Sequence, residues 1–168
     1  LLHMIRSTIT SEQLRLSTWD SDQSKLIESI QYAAGPELKK IHEELNRIEM
    51  DRFLLTYSVS ALHQSCTHYR DVLSVRAMNI VCQEMESSGL PQPGVPFALI
   101  SMGSDGRKEQ TLITDQDNLI VYGDGGGEQA DAYFLEFASR LVDQLEEAGF
   151  QRCTGDIMPT NQTWRGSF

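Results

Sequence analysis

The sequence predicts an α+β chain, and three observations carry that reading. A helical period of apolar residues runs through most of residues 1–90, three prolines and two glycines crowd the ten residues from Ser87 to Pro96, and two short apolar runs follow. Residues 1–90 are accordingly a helical N-terminal region, and residues 91–168 an α/β core.

Leu26, Ile27 and Ile30 make the first apolar stripe, which Gly35-Pro36 interrupts. Leu38, Ile41, Leu45 and Ile48 then recur at steps of three and four, and Leu55, Val59, Leu62, Cys66, Tyr69, Leu73 and Ile80 carry the period on. Two long helices, packed as a hairpin or small bundle, are expected. After the Pro/Gly-rich linker, Phe97 to Met102 reads as a buried strand and Leu119 to Tyr122 as a second. Gln129 to Ala148 has amphipathic helical spacing through Phe134, Phe137, Leu141 and Leu145, and Phe150 to Ile157 is expected as a third strand.

Composition narrows the class. With 40% hydrophobic and 23% charged residues the chain is neither disordered nor fibrous, and its longest apolar runs fall far short of the roughly 20 residues of a membrane span. A formal charge of −10 opposes nonspecific attraction to nucleic acid or an anionic membrane, so an anionic substrate needs a local cation or metal. Cys66, Cys82 and Cys153 are odd in number and widely spaced, which disfavours a disulfide framework or a four-ligand zinc site and points to a reducing cytoplasm. The opening LLHMIRSTIT has no signal-peptide pattern and no initiator Met, and the chain stops at Trp164-Arg165-Gly166-Ser167-Phe168; it reads as a piece of a longer protein, truncated on its C-terminal side.

Between the two strands lies Gly103-Ser104-Asp105-Gly106-Arg107-Lys108-Glu109-Gln110-Thr111-Leu112-Ile113-Thr114-Asp115-Gln116-Asp117-Asn118. Glycine after a buried strand lets the backbone turn and approach a ligand, while the Ser104 hydroxyl and the following amides offer donors to phosphate. Asp115 and Asp117, two apart at a strand start, present their carboxylates on one face. Hard divalent ions favour such oxygens, and a two-metal site neutralises charge on a leaving pyrophosphate. The pattern points to nucleotidyl transfer.

A Gly-Ser turn followed by Asp-x-Asp resembles the polymerase-beta-like nucleotidyltransferase superfamily. More closely, GSDGRKEQTLITDQDN with CTGDIMPTNQTWRGS resembles bacterial nucleotidyltransferases related to the N-terminal domain of the PII-protein uridylyltransferase, which are often associated with CBS domains; the likeness covers about residues 40–168. The resemblance implies a mixed sheet with flanking helices. It places Gly103 and Ser104 on the triphosphate, Arg107 on phosphate oxygens through its forked guanidinium, and Asp115 and Asp117 on Mg²⁺, with Mn²⁺ as the alternative ion. Asp156, on the expected third strand, is the nearest candidate for the third carboxylate of active members. Glu109 and Gln110 either brace the loop or touch substrate, and Asn161, Trp164 and Arg165 either wall the nucleotide pocket or lock the strand end.

His42, His63 and His68 lie on expected helices without a second ligand at metal spacing and read as packing or surface residues. Gly123-Asp124-Gly125-Gly126-Gly127 lacks the Lys-Ser/Thr ending of a phosphate loop and reads as a connection. The leading expectation is an enzyme that moves a nucleoside monophosphate from a nucleoside triphosphate to an acceptor, such as a protein. The alternative is a regulatory nucleotide-sensing module without turnover, attached to CBS domains or a C-terminal domain.

Overall fold

The computed structural model describes residues 2–168, with side chains from Thr8 onward. Three helices open the chain: α1 (Leu2–Ile30), α2 (Pro36–Thr56) and α3 (Val59–Ser87). Gly35, at φ 52°, and Pro36, in the first turn of α2, separate the first two as the sequence predicts.

The second expected helix is in fact α2 and α3. Leu38, Ile41, Leu45 and Ile48 of α2 are buried, as are Leu62, Cys66, Tyr69, Leu73 and Ile80 of α3, so the stripe exists on both sides of the break. Val59, which keeps the period, is 53% exposed and does not join the core. Tyr57 closes α2 in the left-handed region at φ 52°, its N–H donating to Phe53 O at 2.7 Å. Ser58 then caps α3, its hydroxyl accepting from the Ala61 N–H at 3.3 Å. Neither glycine nor proline marks this turn, and an unbroken apolar period conceals it.

Beyond the linker come β1 (Phe97–Ser101), the single turn α4 (Gly103–Gly106), β2 (Asn118–Tyr122), α5 (Gly127–Glu147), a 3-10 turn (Gln162–Trp164) and β3 (Arg165–Ser167). β2 lies in the middle, antiparallel to β1 with Ser101 opposite Asn118, and parallel to β3 with Ile120 opposite Arg165. The architecture is α+β: N-terminal helices followed by a small mixed sheet with flanking helices. Gly123–Gly126 connects β2 to α5.

Phe150 to Ile157 does not form the expected strand. Only Gln151 pairs, in an isolated parallel bridge with Asp115. Past Cys153 the chain turns, the Asp156 N–H donating to Cys153 O at 3.2 Å and Asp156 taking φ 54°, a conformation that aspartate tolerates better than most residues. The third strand is Arg165–Ser167, a segment with no apolar alternation to reveal it, held by backbone pairing to β2.

One cluster of buried side chains joins the helices to the sheet, drawing on Leu45, Tyr69 and Met85 as well as Ile120, Tyr122 and Phe134. α5 supplies its aromatic centre. Phe134 stacks on Tyr122 at 4.3 Å between centroids, meets Tyr133 edge-on at 5.1 Å and lies tilted against Phe97 at 5.3 Å, separations at which aromatic pairs attract.

Candidate active site

The Gly-Ser turn and the Asp-x-Asp are brought together by the β1–β2 pairing. Met102 N–H donates to Asp117 O at 2.8 Å, which sets the end of β1 against the start of β2. Gly103 follows at φ 56°, and a Cβ there would lie 2.2 Å from Asp117 Oδ2. Any side chain there would have to displace the Asp117 carboxylate and adopt a left-handed backbone, which glycine alone takes without strain. Gly106 is similarly tight, its missing Cβ falling 2.7 Å from Ser101 O.

Gln116, between the two aspartates, is buried on the opposite face. Its amide donates to Val142 O of α5 at 3.1 Å and to Phe150 O at 3.3 Å. The alternation expected of a strand is thus present: Gln116 is anchored inward, while Asp115 and Asp117 converge. Asp115, Asp117 and Cys153 each offer a ligand atom, and all three atoms lie within 4.8 Å of one another. Asp117 Oδ1 is buried with no hydrogen-bond partner. A buried carboxylate oxygen left unpaired is costly, so the geometry and chemistry of this group fit a divalent cation. The neighbouring Asp117 carboxylate, followed by burial, pushes the Cys153 thiol up from its ordinary value.

The loop between the motifs is braced from two directions. Arg107 donates from Nε to Glu109 Oε2 at 2.8 Å while remaining 63% exposed, and Glu109 N–H donates to Ser104 O at 2.8 Å. Gln110 is buried, its amide 3.4 Å from Thr114 Oγ1. From α3, the buried Arg70 donates to Thr111 O, to Asn46 Oδ1 at 3.2 Å and to His42 Nε2 at 3.3 Å. His42 has Nδ1 2.9 Å from Ala148 O, so the proton sits on Nδ1 and Nε2 is the acceptor. Burial, and the nearby Arg70 charge, lower its pKa to about 4. His42 is therefore a neutral packing residue that links α2, α3 and the end of α5. His63 and His68 line a cleft of about 700 Å³ with Thr67, Asp71 and Lys108, beside the loop.

Asp156 is not in the carboxylate group. Its carboxylate accepts from Asn161 Nδ2 at 3.0 Å, and Asn161 Oδ1 in turn accepts from Thr163 N–H at 3.0 Å. Arg165 donates to the carbonyls of Pro159 and Thr160. Asn161 and Arg165 thus lock the approach to β3.

The model of the family described as "Putative nucleotidyltransferase DUF294" matches residues 43–168. The chain belongs to that family. No curated protein and no solved structure matches it. The general chemistry of a nucleotidyltransferase, with a nucleoside triphosphate as substrate, thereby attaches to the fold, and the matched span begins within α2 and takes in the whole sheet. Among the described residues no helix is long and apolar enough to cross a membrane. Three residues of this family member stand out only in three dimensions. Cys153 opens the second motif but reads in sequence as a lone thiol, Gln116 sits unremarked between the aspartates, and Arg70 has no local signal on α3.

Proposed function

We propose that this chain supplies the nucleotide and metal side of a site that transfers a nucleoside monophosphate from a nucleoside triphosphate to an acceptor. The observation that carries the reading is the Asp117 carboxylate lying where a Gly103 side chain would be, which makes the Gly-Ser turn and the Asp-x-Asp a single locus. Gly103 and Ser104 would receive the triphosphate through backbone amides and the hydroxyl, and Arg107 would add its charge from the braced loop. Asp115 and Asp117 would hold Mg²⁺, or Mn²⁺, as a two-metal site; such ions neutralise the phosphates and the leaving pyrophosphate. An acceptor oxygen attacks the α-phosphorus, the bond to the β-phosphate oxygen breaks, and the acceptor's proton passes to a base.

A protein side chain is the acceptor proposed, by likeness to the PII-protein uridylyltransferase. The net charge of −10 weighs against a nucleic acid. Three unpaired cysteines support a reducing, cytoplasmic setting. Asp156 would serve as third carboxylate only by giving up Asn161, and this favours keeping a second reading: nucleotide sensing without turnover, relayed to CBS domains or a C-terminal domain.

Calorimetric titration of each nucleoside triphosphate, with and without Mg²⁺, tests the site. Magnesium-dependent binding is expected in the wild-type chain and lost in Asp115→Ala/Asp117→Ala; equal binding by both chains would refute it. Pyrophosphate release in the presence of an acceptor protein then separates transfer from sensing.

A further inference from the structure

We infer that Cys153 is a third protein ligand of the cation site and that its thiolate biases the site toward a thiophilic divalent ion over Mg²⁺. This rests on the metal reading above and adds the class of ion. Metal–ligand bonds of about 2.0–2.3 Å put neighbouring donors roughly 3–4.5 Å apart, and the Asp115, Asp117 and Cys153 ligand atoms lie within 4.8 Å of one another. Small side-chain adjustments suffice to close all three on one ion.

The position of the thiol is built into the fold. Gln116 N–H donates to Gln151 O at 2.9 Å, Gln151 N–H to Thr114 O at 3.2 Å, and Asn118 N–H to Ile157 O at 3.1 Å. These bonds fasten both ends of the 151–157 segment alongside the Asp-x-Asp, and Cys153 lies between them. Asp117 Oδ1, buried and without a hydrogen-bond partner, is a second mark of a cation at this place. The nearby carboxylate that could have served instead, Asp156, is turned to Asn161.

The donor set then decides the ion. Mg²⁺ takes oxygen donors and keeps waters, whereas a thiolate suits softer ions such as Zn²⁺ and Co²⁺. Two carboxylates and one thiolate form a mixed set that tolerates Mg²⁺ and holds the softer ion more firmly. The other two thiols, Cys66 and Cys82, lie on α3 outside this group.

Co²⁺ is the probe, because its ligation by thiolate gives a near-ultraviolet charge-transfer band that oxygen ligation does not. The wild-type chain is expected to show the band on titration with Co²⁺. Cys153→Ser should lose it and bind Co²⁺ at least tenfold more weakly, and Asp117→Asn should lose it while retaining all three thiols. Cys153→Asp should bind without the band and gain affinity for Mg²⁺ relative to wild type, with circular dichroism showing each variant folded. Visible Co²⁺ absorption without the charge-transfer band, wild-type Co²⁺ affinity in Cys153→Ser, or a band surviving in Asp117→Asn would each overturn thiolate ligation and leave the metal reading standing. Failure of the wild-type chain to bind either Co²⁺ or Mg²⁺ would remove both.

Discussion

At Gly103 two demands meet in one residue: a left-handed backbone at φ 56° and an Asp117 carboxylate 2.2 Å from where a Cβ would be. Gly103→Ala is expected to cost about 1–2 kcal/mol from backbone conformation alone and to push Asp117 out of line. Triphosphate affinity with Mg²⁺ should fall at least tenfold by calorimetry while the far-ultraviolet dichroism is kept; unchanged affinity would show that the turn and the aspartates act separately. His42 gives the residue-scale pH dependence. Its folded pKa, about 4, lies below the ordinary 6.5, so the unfolded chain binds the extra proton first as pH falls. Its contribution is complete above about pH 6.5 and is lost between there and about 4, by roughly 3 kcal/mol. Urea unfolding across that window should show a shallower fall in His42→Gln than in wild type. The sequence exposes Gly103, Asp115 and Asp117 because their types and spacing are unusual together. It says nothing of Arg70 or Cys153, whose roles depend on neighbours distant in the chain.

Among the elements, strands and helices with a strong period are found where the sequence puts them: β1, β2 and α5 differ from expectation by one or two residues at their ends. The two departures share a cause. The α2–α3 break at Tyr57 and Ser58 uses a left-handed tyrosine and a serine cap, neither of which disturbs an apolar period. β3 consists of Arg165, Gly166 and Ser167, selected by an open hydrogen-bonding edge on β2 rather than by side-chain pattern. Tyr57 is 74% exposed, so replacing it with glycine sacrifices little packing and relieves the positive φ. Tyr57→Gly is expected to stabilise the chain by about 0.5–1 kcal/mol, seen as a higher urea midpoint with the same slope. A lower midpoint would mean that the ring's contact with Phe53, at 6.3 Å between centroids, matters more.

For the molecule as a whole, the helices and the site are coupled through Arg70, which reaches from α3 to the Thr111 carbonyl in the loop between the two motifs. Arg70→Met keeps most of the apolar stem but leaves the Thr111 carbonyl, Asn46 Oδ1 and His42 Nε2 without this donor. Unfolding free energy is expected to drop by about 2–4 kcal/mol, and triphosphate affinity to fall with it as the loop loosens. Loss of stability with unchanged affinity would confine Arg70 to packing. By itself the sequence determined the α+β class, the Gly-Ser and Asp-x-Asp motifs and the helical face that becomes the core, because each is written in local spacing, period 3.6 or period 2, or in residue types that few backbones accept. Only the tertiary structure decided that Cys153, rather than Asp156, faces the aspartates, and that the third strand comes from the chain's last residues. Both are settled by which backbone edges remain to be paired once β1, β2 and α5 have packed, and that pairing joins residues too far apart in sequence for any local pattern to record it.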